Sequence, residues 1–124
     1  MIKKKLLIVE DDHEMAQMLA QMLDSAGYET MISQDVMAGV QQAYDFHPDL
    51  VVLDLMLPGG GGLSFLKHME RSLHTQRIPV LVLTAMQDEE YKKKILASGV
   101  KAYLEKPYKV EYFLSEVAKI LNVE

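Results

Sequence analysis

The chain alternates between short runs of consecutive apolar residues and longer stretches in which apolar residues recur every three or four positions. Runs of the first kind are typical of strands buried on both faces, and stretches of the second kind are typical of amphipathic helices. Three runs, at 6–9, 50–53 and 80–83, are wholly apolar. The runs at 28–33 and 102–104 alternate in polarity or are short, which favours the edges of a sheet.

A helical stripe follows each of the five runs, and Gly27 and Gly99 stand where a left-handed residue would end the first and fourth helices. The fourth stripe is thin, so we expect the fourth helix to be the most loosely held. The positions predicted to face inward are Met15, Met18, Leu19, Met22, Leu23 and Ala26, then Val36, Met37, Val40, Ala43 and Tyr44, then Leu63, Leu66, Met69 and Leu73, then Tyr91, Ile95 and Leu96, and finally Val110, Phe113, Leu114, Val117 and Leu121.

Five successive strand–helix units predict an α/β fold with a parallel sheet, right-handed crossovers and helices on both faces. With the apolar runs in the centre, the strand order becomes 2-1-3-4-5, a doubly wound, flavodoxin-like arrangement. At 124 residues the chain suits one substantial core. We therefore expect a single domain spanning residues 1–124, without a linker or a second domain.

The composition of the chain argues against several classes of partner and chemistry. Thirteen basic and 18 acidic residues give a net charge of -5, which argues against direct binding of nucleic acid. No apolar run reaches the roughly 18 residues of a membrane span, and the run after the lysines at 3–5 is too short for a signal peptide. The chain has no Cys, which removes disulfides and thiolate chemistry. The sequence predicts a cytoplasmic protein without membrane contacts.

Polar residues close four of the five strands, and parallel strands bring these ends to one edge of the sheet. The acidic run 10–12 follows the first strand, Asp54 follows the third run, Thr84 the fourth and Lys106 the fifth. Crowded carboxylates repel one another, and Mg²⁺ is the hard, oxygen-preferring cation that best relieves this. A carboxylate beside a divalent cation, an ammonium and a hydroxyl has the parts for phosphoryl transfer, with Asp54 as the acceptor.

Each of these residues also has an ordinary interpretation. The acids at 10–12 could cap the first helix, Thr84 could cap a strand end and Lys106 could be a surface cation. Their joint occurrence at successive strand ends favours a site. The four histidines have no ligand spacing and are assigned no role; they are His13, His47, His68 and His74.

Four motifs make the chain resemble the receiver domain of bacterial two-component response regulators over essentially its whole length. They are the acids in Val-Glu-Asp-Asp at 9–12, Leu-Asp-Leu-Met-Leu-Pro at 53–58, Leu-Thr-Ala at 83–85 and Tyr-Leu-Glu-Lys-Pro at 103–107, and their spacings agree with the family. The resemblance implies that Asp54 receives a phosphoryl group from a phosphohistidine of a sensor histidine kinase or a phosphotransfer protein.

The resemblance also implies the ligands of Mg²⁺: Asp11, Asp54 and the backbone carbonyl of Met56 directly, and Glu10 through water. It further implies a cis Lys106–Pro107 peptide bond. The protein would be a signalling module that catalyses only its own phosphorylation and dephosphorylation, and no conventional enzyme.

For the switch, the resemblance implies that Lys106 grips a phosphate oxygen, Thr84 moves its hydroxyl onto another, and Tyr103 swings inward. The altered face, formed by the fourth helix, fifth strand and fifth helix, would bind a downstream protein or an effector domain outside this chain, or a second copy as a homodimer. Tyr103 could instead be an ordinary amphipathic edge residue.

The chain departs from the family pattern at several positions. Gly61 stands where an acid is customary, within four successive glycines that suggest a mobile loop. Met56 and Met86, two residues beyond the acceptor and the threonine, predict apolar shielding and no side-chain help for an attacking water. Lys101 and Ala102 replace the paired Asp residues of many DNA-binding members, which favours a stand-alone receiver acting through protein contacts.

Three other functions compete with the receiver. A Mg²⁺-dependent phosphohydrolase with an aspartyl nucleophile would need a second acid where Met56 stands. A flavodoxin-like cofactor carrier would need a loop rich in Gly, Ser or Thr after the first strand, where the chain is acidic. A degenerate receiver that only binds partners would not need the intact set of site residues.

Overall fold

The computed structural model describes residues 2–123, and its strands and helices alternate along the chain. The five strands form one parallel sheet in the order β2-β1-β3-β4-β5, so the predicted α/β class and strand order are confirmed. Within the described residues, no helix is both long and apolar enough to cross a membrane. The elements are β1 Lys5–Val9, α1 His13–Ser25, β2 Glu29–Ser33, α2 Val36–Phe46, β3 Leu50–Asp54, α3 Gly61–Glu70, β4 Val80–Thr84, α4 Glu89–Ala97, β5 Ala102–Glu105 and α5 Val110–Leu121.

The apolar runs form the three central strands because their side chains are buried on both faces of the sheet. Alternate residues of a strand point to opposite faces, so each run contributes to two cores. One core packs α2, α3 and α4 against Leu7, Val9, Val51, Leu53 and Val82. The other packs α1 and α5 against Leu6, Ile8, Val52, Leu81 and Leu83.

Three helices begin with an aspartate whose carboxylate accepts a hydrogen bond from the first turn: Asp12 for α1, Asp35 for α2 and Asp88 for α4. The capping interpretation therefore holds for Asp12. Helices α3 and α5 differ, because their N-cap residues, Gly60 and Lys109, make no side-chain cap hydrogen bond. The left-handed glycines predicted after α1 and α4 are present, with φ of 98° and 87°.

The prediction of inward-facing residues was wrong for several residues at the edges of the predicted apolar helix faces. The helices pack on the sheet through small residues, such as Ala16, Ala20 and Gly39, which turns larger neighbours outward. Leu73 lies beyond the end of α3 and is 85% exposed. The other residues predicted inward but found exposed are Met18, Ala26, Met37, Tyr44, Leu96 and Val110.

Candidate functional site

The Asp54 carboxylate lies at the carboxyl end of β3, where its side chain is only 12% exposed. Its Oδ1 accepts a hydrogen bond from the Met56 N–H at 3.0 Å, and its Oδ2 lies 3.5 Å from the Lys106 Nζ. One oxygen is thus held by the following loop and the other faces an ammonium. The carboxylate is therefore fixed in orientation, and a small part of it remains exposed.

Glu10 and Asp11, which follow β1, lie beside Asp54. One carboxylate oxygen from each of the three residues falls within 4.8 Å of the other two. Exposure is graded across the cluster, because Glu10 is buried, Asp54 is half-buried and Asp11 is exposed. Hard oxygen ligands in a partly open cluster fit Mg²⁺, which prefers carboxylates while keeping several waters.

Glu10 is the most deeply placed acid, with 2% of its surface exposed. The pKa of its carboxyl is raised to about 7, chiefly because burial disfavours the charged form and also because the Asp54 carboxylate lies beside it; the Asp12 N–H and Lys106 act in the opposite direction. The Asp12 N–H donates to Glu10 Oε2 at 3.2 Å. The cluster therefore holds more negative charge than Lys106 alone balances, and an added cation would relieve it.

Lys106 reaches the cluster from the loop after β5. Its Nζ lies 3.7 Å from Glu10 Oε1 as well as 3.5 Å from Asp54 Oδ2, and its backbone N–H donates to the Thr84 carbonyl at 2.8 Å. The Lys106–Pro107 peptide bond is cis, as the resemblance implied. Of the residues predicted for the site, the structure brings Glu10, Asp11, Asp54 and Lys106 together.

Thr84 and Tyr103 lie on the two strands beyond Asp54. Thr84 ends β4 and is fully buried, and its hydroxyl oxygen accepts a hydrogen bond from the Met86 N–H at 3.0 Å. Tyr103 is half-buried on β5, with the Lys92 Nζ 5.1 Å from its ring centroid. Lys92 also pairs with Glu105 at 3.0 Å. This pair and the cation–π contact join α4 to β5.

Sequence reasoning missed the residues that support the loop after Asp54. Gly62 donates its N–H to the Leu55 carbonyl at 2.8 Å, and the Leu63 N–H donates to the Tyr91 hydroxyl, also at 2.8 Å. The one signal in the sequence was the absence of a capping side chain before α3. Nothing in the sequence pointed to a tyrosine from α4 as the partner.

A protein-family model described as "response regulator receiver domain" matches residues 6–118. The chain belongs to this family. As a receiver domain it is a signalling module of two-component systems, which confirms the family that the strand-end motifs indicated.

The similarity to known proteins covers nearly the full length of this receiver domain. It is 33% identical to the phosphate regulon transcriptional regulatory protein PhoB of Escherichia coli, over 96% of this chain and 52% of PhoB. A crystal structure from Chloroflexus aurantiacus, of a protein described as a response regulator, superposes with a TM-score of 0.89 at 34% identity, covering 98% and 99% of the two chains. The chain spans about half the length of PhoB and of several other curated relatives that it matches.

A second similar structure contains a magnesium ion. The receiver domain of the sensor histidine kinase PA1611 from Pseudomonas aeruginosa, solved with a magnesium ion coordinated in its active-site cleft, superposes with a TM-score of 0.88 at 25% identity, covering 98% of this chain and 99% of that one. Together with the acidic cluster, this similarity fits Mg²⁺ binding here. The individual roles of the site residues stay predictions.

Proposed function

We propose that residues 1–124 form one receiver domain in which Asp54 accepts a phosphoryl group from a phosphohistidine of a sensor histidine kinase or a phosphotransfer protein. One observation carries the proposal: Asp54 shares a cluster with Glu10 and Asp11 while its second oxygen faces the Lys106 ammonium at 3.5 Å. A nucleophilic oxygen, a cation-binding group of acids and a fixed positive charge are the parts that phosphoryl transfer needs.

The residues that would hold Mg²⁺ are Asp11, Asp54 and the backbone carbonyl of Met56, with Glu10 contributing through water. When bound, the ion supplies positive charge that offsets both the acids and the oxygens of the incoming phosphoryl group. The geometry of the acids supports this ligand set, because one oxygen from each of Glu10, Asp11 and Asp54 lies within 4.8 Å of the other two, while Lys106 brings a single positive charge to them.

In the proposed reaction the phosphoryl group passes from the phosphohistidine to the Asp54 carboxylate. A carboxylate oxygen of Asp54 attacks phosphorus, the O–P bond forms as the N–P bond of the phosphohistidine breaks, and the electron pair returns to the imidazole nitrogen. Lys106 neutralises charge on the phosphoryl oxygens, and Thr84 turns its hydroxyl from the Met86 N–H to donate to one of them. Hydrolysis returns Asp54 to its unphosphorylated state: water attacks phosphorus, inorganic phosphate is released and the carboxylate is restored.

Output follows from the same movement of Thr84. When its hydroxyl turns toward the phosphoryl group, space opens into which Tyr103 rotates, which changes the face formed by α4, β5 and α5. This face would bind a downstream protein, an effector domain outside this chain, or a second copy of the domain. The lysine that bridges Tyr103 and Glu105, Lys92, would have to release the ring for this rotation. We propose that the domain works in the cytoplasm.

The proposal is tested by incubating the protein with Mg²⁺ and acetyl phosphate and measuring its intact mass. We expect one added phosphoryl group in the wild type, none in Asp54→Ala and none when the metal is chelated. Asp45→Ala is the matched control, since it removes an exposed carboxylate on α2 that accepts a hydrogen bond from Gln41. Labelling of Asp54→Ala, or continuous turnover of phosphate esters, would contradict the proposal.

A further inference from the structure

Helix α3 begins directly after the loop that follows Asp54, and its first turn is held in an unusual way. In most helices a Ser, Thr, Asp or Asn side chain at the N-cap accepts a hydrogen bond from the first turn. Here the N-cap residue is Gly60, with φ of 105° and no side chain to accept one. The first amide groups of α3 must therefore find acceptors elsewhere.

All three of these amide groups have partners. The Gly61 N–H donates to the Leu57 carbonyl at 3.1 Å, and the Gly62 N–H donates to the Leu55 carbonyl at 2.8 Å. The Leu63 N–H donates to the Tyr91 hydroxyl at 2.8 Å, across the gap between α3 and α4. A tyrosine from another helix thus takes the place of the missing capping side chain.

The glycines make room for this arrangement. A Cβ at position 61 would lie 3.1 Å from the Tyr91 hydroxyl oxygen and 3.2 Å from the Leu55 carbonyl oxygen. Gly61 also has φ of 77°, a conformation that favours glycine. An acid at this position, which is customary in the family, would crowd the hydroxyl. Glycine at position 61 therefore leaves room for the Tyr91 hydroxyl, which caps the helix in place of a local side chain.

We propose that Tyr91 is a positioning residue for the acceptor site: its hydroxyl caps α3 and thereby fixes the loop at 55–57, which carries the Met56 carbonyl. The contact joins two segments that flank the site, since α3 anchors the loop after Asp54 and α4 follows the loop after Thr84. In α4 only Ile95 is buried. The Tyr91 bond attaches this helix to α3, as the Lys92 contacts attach it to β5, so the position of α4 and the affinity for Mg²⁺ are coupled through Tyr91.

The inference rests on the proposed function, and its test separates the two. Tyr91→Phe keeps the ring and removes the acceptor, and Tyr112→Phe makes the same change on an exposed tyrosine of α5 whose hydroxyl makes no hydrogen bond to residues 2–123. The first readout is hydrogen exchange of the Leu63 amide, followed by NMR in the metal-free protein. We expect exchange to quicken about three- to tenfold in Tyr91→Phe, the loss of one ordinary hydrogen bond, and to stay unchanged in Tyr112→Phe.

The second readout is the dissociation constant for Mg²⁺, measured by titration of the same three proteins. We expect it to rise about two- to fivefold in Tyr91→Phe alone. Unchanged Leu63 exchange would refute the cap, and faster exchange with unchanged Mg²⁺ affinity would refute the positioning role. If the wild type bound no Mg²⁺, the positioning role and the proposed function would both fail, while the Leu63 exchange would still decide the cap.

Discussion

Gly62 gives the sharpest test of how the fold supports the acceptor. Replacing a helical glycine by alanine usually stabilises a protein, but at position 62 we expect it to destabilise the fold. Gly62 is buried in the first turn of α3, and its φ is negative. Replacing an interior helical glycine by alanine normally stabilises a helix by about 1 kcal/mol. At Gly62 the added methyl group has no room.

The magnitude follows from three distances. A Cβ on residue 62 would lie 2.5 Å from Leu55 Cδ2, 2.9 Å from Leu55 Cα and 3.4 Å from Leu55 Cβ. Carbon atoms in contact sit about 3.5 to 4.0 Å apart, so Leu55 or the start of α3 must move by about 1 Å. The leucine methyl group can rotate away, but Cα belongs to the backbone beside Asp54. Overpacking costs about 1–3 kcal/mol, so we expect a net loss of about 1–2 kcal/mol.

Urea unfolding followed by circular dichroism measures this loss. Gly39→Ala is the matched control: its Cβ would meet Phe65 Cε1 at 3.0 Å and the Val9 methyl groups at 3.1 and 3.2 Å, all side-chain atoms, so the loss should be smaller. Adding Leu55→Val to Gly62→Ala should cost less than the sum of the two changes, because valine has no Cδ2. A Gly62→Ala protein as stable as the wild type would refute the packing argument.

Two further predictions concern charge. Lys106→Met removes the ammonium 3.5 Å from Asp54, so Mg²⁺ affinity should rise about two- to tenfold while labelling by acetyl phosphate falls. Lys119→Met removes an exposed ammonium on α5 that pairs with Glu116, and it should change neither quantity. Weaker Mg²⁺ binding in Lys106→Met would contradict the electrostatic argument. Because the pKa of Glu10 is raised from 4.5 to about 7, the metal-free folded protein holds a proton that the unfolded chain releases, so the free energy of unfolding should decline between about pH 4.5 and 7 and level off above. Glu10→Gln should lack that component in a pH series of urea unfolding, and identical pH profiles would show that Glu10 is ionised throughout.

The central strands and the edge of the sheet that carries the site could be predicted from sequence because both depend on local pattern. Runs such as 50–53 have no polar face, so they can only be buried, and the carboxyl ends of parallel strands must share an edge. This brought Asp54, Thr84 and Lys106 to one edge. The prediction failed for some helical residues. Met18 and Met37 match the helical period, but they are exposed because the helix faces that contact the sheet are centred on small residues.

The supports of the acceptor loop could not be predicted because they join residues far apart in the chain. The contact between Leu63 and Tyr91 depends on the distance between α3 and α4, which no local pattern encodes. The depth of Glu10 was missed for a similar reason: its neighbour Asp11 is equally acidic in sequence, but strand geometry turns one inward and the other to solvent. Sequence identified the chemical groups, and tertiary packing set their environments.

The most direct test of the account is to locate the phosphoryl group itself. After labelling with acetyl phosphate and Mg²⁺, borohydride reduction converts an aspartyl phosphate to homoserine, and peptide mass spectrometry then identifies the modified residue. The account predicts homoserine at position 54, with none when Mg²⁺ is chelated. Homoserine at position 11 or elsewhere, or labelling of residue 54 that does not depend on Mg²⁺, would contradict it.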